Sequence, residues 1–181
     1  MTITITILSI LFGFIALLLF IALFMKKEHY VKCEIIINVS KQKVYDFLKF
    51  LKNQDKFNKW AKADPDRNWE YKGEDGTIGF IISWKGNKKA GEGAKEIMNL
   101  TEGKRIETQI RFVKPMVMVS NIIMETETIT GPNNQQEQTK VTMSNAGTIN
   151  YPMNLMIPIA EKMFPKDMDE SLNTLKNILE A

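Results

Sequence analysis

Cysteine and histidine are nearly absent from this sequence: its 181 residues hold one of each, Cys33 and His29. A single cysteine excludes an internal disulfide framework and a multi-cysteine metal site. A single histidine removes the usual paired acid-base and metal chemistries. No metal and no cofactor is expected. Nucleotide-cradling patterns are missing as well: there is no GxxxxGK[ST], and Gly91-Glu92-Gly93 is not followed by the helix that would complete an anion site. Charge of one sign is not in large excess. The 24 basic and 21 acidic side chains leave a net charge of +3 spread along the chain, which argues against nucleic acid. A second long uncharged run is also lacking, so a polytopic membrane protein is excluded.

The one such run opens the chain. Its first 25 residues carry no charged side chain, and 20 of them are apolar. As a helix, the 23 residues from Ile3 to Met25 would span about 34 Å, slightly more than the hydrocarbon core of a bilayer. A cleaved secretory signal wants a basic start, a shorter apolar run and a small-residue cleavage site. Here no lysine or arginine precedes the run, and its Leu23-Phe24-Met25 ending is bulky. Residues 1–25 are therefore expected to form an uncleaved transmembrane helix. Lys26, Lys27, His29 and Lys32 follow it, and the positive-inside bias puts the remaining domain in the cytoplasm, as a single-pass protein of the cell membrane. Residues 26–30 read as a juxtamembrane linker and 31–181 as one folded domain.

Within that domain, Val31 to Val39 is rich in valine and isoleucine and suits a first strand. Ser40 is placed to cap a helix with Val44, Phe47, Leu48 and Leu51 on one face, and a second short helix is expected from Asn53. Asp64-Pro65-Asp66 stops it. From Asn68 to about Thr148, strand-length segments alternate with glycine, proline and asparagine turns, a meander. Ile78, Phe80, Ile82 and Trp84 alternate with Gly79, Ile81 and Ser83, and Ile106 to Phe112 alternate likewise, so one face of an antiparallel sheet is dry. Gly91 and Gly93 permit bending or the close approach of a packed group. Pro152, Pro158 and Pro165 are expected to break the next helical signal. A clean helix then runs from Lys166 to Glu180 with Met168, Leu172, Leu175 and Leu179 at helical spacing. The fold class is α+β: a curved antiparallel sheet wrapped around one long C-terminal helix, preceded by one transmembrane helix.

Several short pieces in this order carry a resemblance. They are Val44-Tyr45-Asp46-Phe47; Trp60 and Asp64-Pro65-Asp66; Gly76 with Gly79; Trp84-Lys85-Gly86-Asn87; Gly91-Glu92-Gly93; Phe112 to Pro115; Thr139-Lys140-Val141-Thr142; Gly147; Tyr151-Pro152-Met153-Asn154; and Lys166-Asp167 leading to Leu172 and Leu175-Lys176. From about Val31 to Ala181 the chain resembles the polyketide cyclase/dehydrase and lipid-transport family of the START-like, helix-grip superfamily (SRPBCC). It departs at Met143, where similar members usually have tryptophan, and at Ser171, where they usually have glycine. The resemblance implies a helix-grip fold with a cavity between sheet and long helix that binds apolar molecules. It implies no single shared reaction.

Residues for chemistry are few. His29 is expected at the membrane interface, and Cys33 as a small hydrophobe in a strand. Glu92 with Glu96 and Glu125 with Glu127 share strand faces. If buried, such pairs run acid-base chemistry; opposite lysines or arginines on a wet face they do not. Lys85, Lys88, Lys89 and Lys95 are expected on a solvated strand turn that could face anionic lipid headgroups. No catalytic residue is assigned. The ligand-lining candidates are Trp60, Phe80, Trp84, Phe112, Met118 and Met143 from the sheet side, with Leu172 and Leu175 from the helix. The leading reading is membrane-anchored binding of a lipid or other hydrophobic small molecule. Two alternatives stay open: a cyclase, dehydratase or hydrolase acting on a polyketide-like substrate, and a non-catalytic protein-interaction or stress-response module with a filled core.

Overall fold

Strand alternation decides which face of a sheet is dry, and here it runs through an antiparallel sheet of seven strands among the described residues. The computed structural model describes residues 2–61, 64, 67–88, 90–130 and 137–181. The strands are β1 (Glu28–Ile37), β2 (Asn68–Lys72), β3 (Ile81–Lys85), β4 (Glu92–Thr101), β5 (Arg105–Lys114), β6 (Met118–Thr130) and β7 (Glu137–Thr148). Their spatial order is β1-β7-β6-β5-β4-β3-β2. The meander β2 to β7 is therefore closed by β1, which pairs from Glu28↔Thr148 to Ile37↔Thr139. Helices α2 (Lys41–Leu48) and α3 (Leu51–Phe57) fill the crossover after β1. A single 3-10 turn (Met153–Met156) and helix α4 (Ile157–Glu180) follow β7, and helix α1 (Thr2–Phe24) precedes the sheet.

Every third or fourth residue of α4 faces inward: Ala160, Phe164, Met168, Leu172, Leu175 and Leu179 are buried against Val31, Cys33 and Ile37 of β1 and Ile110, Ile122, Met124, Val141 and Met143 of the sheet. Each large side chain so buried stabilises the fold by about 1.5–3 kcal/mol. Pro152 precedes the 3-10 turn as expected of a break, but the breaks expected at Pro158 and Pro165 do not occur. Pro158 sits in the first turn of α4, where its missing N–H has no partner to lose. Pro165 lies inside the helix, and the buried Ala160 and Phe164 before it hold that part of the helix to the sheet. Helix α3 starts at Leu51 rather than Asn53 because a remote side chain caps it. Asp75, between β2 and β3, accepts Leu51 N–H at 2.8 Å and Lys52 N–H at 3.2 Å.

Helix α1 is long and apolar enough to cross a membrane by length and composition, and nearly all of its side chains are uncovered by the rest of the chain. Its end is nevertheless docked. Asn154, fully buried in the 3-10 turn, donates from Nδ2 to the Ala22 carbonyl at 2.7 Å and to the Met25 carbonyl at 3.1 Å. Both lie in the last turn and exit of α1, where carbonyls run short of helical partners; Ala22 O also accepts Met25 N–H at 3.4 Å. Ile149 N–H donates to the Lys27 carbonyl at 2.8 Å, and Lys26 pairs with Glu161 at 2.6 Å. Because β1 begins at Glu28, three residues of the expected 26–30 linker belong to the sheet.

His29, expected to face a membrane interface, is instead turned into the domain and is 3% exposed. Its parity with Val31 and Cys33 turns it onto the concave face, where it meets Phe164 edge-on at 5.2 Å and donates from Nε2 to Asn145 Oδ1 at 3.3 Å. Gly147, its partner across β7, leaves the room. A Cβ there would lie 2.5 Å from Ser120 Oγ and 2.6 Å from both Val119 O and His29 Cε1. Gly147→Ala should therefore lower stability by about 1–3 kcal/mol, read as a reduced denaturation midpoint of the detergent-solubilised chain. An unchanged midpoint would contradict this packing.

Candidate ligand-binding pocket

The grip is filled where α4 packs on β1, and it opens at the other end of the sheet. There, a pocket of about 50 Å³ lies between α3 with its following turn and the inner face of β2 to β5. Glycine shapes one wall. Trp84 pairs across the strands with Gly93, beside a register shift in β4. A Cβ on Gly93 would stand 2.8 Å from Trp84 Cζ2 and 2.7 Å from Arg111 O, so only glycine lets the indole lie over β4. Trp84 Nε1 donates to Ala90 O at 3.1 Å, and the ring meets Phe112 edge-on at 5.5 Å. Trp60 closes the opposite side, edge-on to Phe164 at 5.8 Å. The Arg67 guanidinium, 8% exposed, lies 3.9 Å above the Trp69 ring, a cation–π stack.

Into this aromatic wall points a lysine. Gly93, Lys95 and Ile97 share the inner parity of β4, and Lys95 is 8% exposed. Its ammonium donates to Gln54 Oε1. Gln54, itself buried on α3, donates its Nε2 to the Leu48 carbonyl at 2.7 Å, so its oxygen is held toward the sheet. An ammonium carries three donors. Among the described residues no carboxylate lies within ion-pair distance of this one. Burial lowers the Lys95 pKa to about 8, against a weaker upward pull from Asp55. Asp55, also lining the pocket, has its pKa raised by burial, with Lys95 and Arg67 pulling the other way. The arrangement is a half-satisfied cation with a second cation and a carboxyl nearby, walled by Trp60, Trp69, Trp84 and Phe112.

Of the lining residues expected from the sequence, Trp60, Trp84 and Phe112 come together here. Met143 from β7 and Leu172 and Leu175 from α4 are fully packed core. Phe80 sits in a second cluster with Leu51, Ile82 and Ile97, stacked on Tyr71. Met118 is half-buried beside Phe112, its register partner. The sheet–α4 interface expected to hold the ligand is thus occupied by side chains, and the pocket is displaced toward α3.

Lys95, expected on a solvated turn, is the main correction. Lys89, Pro65 and Asp66 lie outside the described residues, as does the turn from Gly131 to Asn134. The carboxylate pairs stand on the outer face with basic partners: Glu92 with Lys114 at 3.0 Å, Glu96 with Arg111, Glu125 with Arg105 at 2.8 Å and Glu127 with Lys140 at 3.5 Å. Cys33 is buried, donates to Pro165 O at 3.6 Å, and has its thiol pushed up to about 11, chiefly by burial, which leaves it unreactive. Ser171 uses its hydroxyl to tie two helical regions, accepting Lys59 N–H at 3.1 Å and donating to Asp167 O at 2.8 Å. No group of three or more metal-ligating side chains occurs among the described residues.

No protein-family model and no curated protein matches the sequence. Solved structures do match. Truncated norcoclaurine synthase from Thalictrum flavum superposes with a TM-score of 0.61 at 9% identity, covering 84% of this chain and 93% of its own. Protein CV1439 from Chromobacterium violaceum gives 0.57 at 12%, covering 84% and 98%, and the Aha1 dimer from Colwellia psychrerythraea gives 0.53 at 20%, covering 84% and 96%. These likenesses show the fold, which is the α+β helix-grip fold expected from the sequence. The synthase is also solved in complex with dopamine and hydroxybenzaldehyde.

The buried amine has a pH signature. Between about pH 8 and pH 10.5 the unfolded chain still holds a proton that the folded chain has released, so stability from this group rises with pH through that window, by up to about 3 kcal/mol. Lys95→Met removes the titration. The Tm of the variant minus that of the parent should be most positive near pH 7 and fall steadily toward pH 10.5; a difference that does not change with pH would contradict a buried Lys95.

Proposed function

We propose that this protein is a membrane-tethered binding domain for a compact hydrophobic molecule with an anionic or strongly accepting end. The observation that carries the reading is the Lys95 ammonium, buried in an aromatic wall with Gln54 as its neutral acceptor. A buried cation left short of partners costs stability unless something else satisfies it. A carboxylate or carbonyl placed between Lys95 and Arg67 would do so, while Trp60, Trp84 and Phe112 enclose its apolar body. The volume of about 50 Å³ is below the roughly 150 Å³ of an apolar cavity that takes benzene, so even a small ring enters by displacing part of the wall. A lipid acyl chain would need α3 to move away from the sheet, since typical drug-sized sites are about 300–1,000 Å³. The tether is the uncharged α1, with the folded domain on the cytoplasmic side by the lysines that follow it.

The same amine favours a second, catalytic reading. With a pKa of about 8, an appreciable fraction is unprotonated near neutral pH and is available as a base or nucleophile.

Benzoate is the probe that tests the binding reading. Titrated into the full-length protein in detergent, it should shift the Trp60 and Trp84 indole signals saturably, and Lys95→Met should weaken it by about tenfold or more, the loss of one charge-assisted hydrogen bond. Equal affinity in parent and variant, or no saturable shift together with no small molecule in an organic extract of the purified protein, would contradict the reading. A benzaldehyde adduct fixed by cyanoborohydride at Lys95 in preference to exposed lysines at pH 7 would support the catalytic one. In that step the amine adds to the carbonyl carbon, water leaves, and the borohydride supplies the hydride that reduces the imine.

A further inference from the structure

The bond between Asn154 and the end of α1 has a geometric consequence for α4. Asn154 donates to the carbonyls of Ala22 and Met25, so the 3-10 turn that carries it lies at the depth of the last turn of α1. Lys26, bonded to Glu161, draws the start of α4 to the same level. If α1 spans the bilayer, these elements sit at the interface between acyl chains and headgroups. The side chains they expose there are apolar. Met153 and Met156 on the turn and Ile159 and Met163 on α4 are all uncovered, Ile159 by 56% and Met163 by 46%. Met156, Ile159 and Met163, at intervals of three and four, fall within about 60° of one another around the helix. Ile157, Ala160 and Phe164, centred about 100° around the helix from the stripe, are buried in the domain. Lys162 and Lys166, both exposed, flank the apolar stripe on one side, where long basic side chains reach toward lipid phosphates.

The geometry points to a second membrane contact: the 3-10 turn and the first two turns of α4 lie on the bilayer crossed by α1, with Met153, Met156, Ile159 and Met163 inserted at the headgroup boundary and Lys162 and Lys166 against anionic headgroups. This rests on the reading of α1 as a span. The contact is the in-plane mode of an amphipathic helix, whose apolar face sinks about 5–10 Å into the boundary. It joins the tether to the domain without a free linker, because β1 begins at Glu28. The domain is therefore held in one orientation rather than swinging from α1.

Spin labels test this on the full-length chain in nanodiscs of phosphatidylcholine and phosphatidylglycerol, one copy per disc. Single cysteines are introduced in a Cys33→Ala background by Phe14→Cys on α1, Ile159→Cys and Met163→Cys on the stripe, and Met98→Cys on the exposed face of β4. At positions 159 and 163 the ratio of oxygen to nickel-chelate accessibility should be several-fold above that at 98, and below that at 14. A lipid-like label at 14 with water-like labels at 159 and 163 overturns the contact while leaving the span. A water-like label at 14 overturns the span itself. Shielding of 159 and 163 that arises only in discs holding two copies would assign the stripe to a second copy of this chain and overturn the lipid contact.

Discussion

One helix is too narrow to cover this sheet. Seven strands at about 4.8 Å spacing make a sheet about 30 Å across, whereas a helix with its side chains is about 10 Å in diameter. Helix α4 packs on β1, and its Leu172 and Leu175 share one buried core with Met143 and Val141. The uncovered half must be closed by something shorter. Helix α2 supplies Val44, Tyr45 and Leu48, and α3 supplies Leu51, Gln54 and Phe57. Neither is long enough to reach the outermost strands in full. The pocket is what remains, and its polar content follows from its place, since Lys95 faces it from β4 and Asp55 from the helix above it.

That placement divides the molecule into a filled half and a half with space for a guest. The filled half also carries α1. Phe164 packs on His29 from one side and on Trp60 from the other, so the aromatic wall of the pocket and the β1 start beneath α1 share one side chain. Asn154 and the Lys26–Glu161 pair then connect α4 to the end of α1. A guest that displaced Trp60 would press on Phe164, and through it on α4, which pairs with Lys26 just past the end of α1. The end of α1 and the pocket are in this way mechanically adjacent.

Much of this was legible in the residues. Alternation in Ile106 to Phe112 and the spacing of Met168, Leu172, Leu175 and Leu179 were enough to define the sheet and its covering helix. The start of α4 was not, because Pro158 and Pro165 read as breaks, while Pro158 fits the first turn of the helix and the packing of Ala160 and Phe164 overrides Pro165. Trp60, Trp84 and Phe112 were within reach of parity and order. Lys95 was missed although its signal was present: Glu92 and Glu96 point outward together, and period-two alternation then forces Lys95 inward with Gly93 and Ile97. Arg67 had no comparable signal, since it precedes β2 in a segment without periodicity. His29 was misplaced because its nearness to the apolar run outweighed its parity with Val31 and Cys33. The cap from Asp75 to α3 and the bond from Asn154 to α1 join residues far apart in sequence, and no local pattern announces either.

The central claim is that Lys95 is an amine held out of water inside the grip. Selective isotope labelling of the lysine side chains and an NMR titration of the Lys95 Nζ and Cε signals in the full-length protein measure its pKa directly. A midpoint near 8 is the expected result, and a midpoint at the ordinary 10.5 would show a solvated lysine and contradict the account.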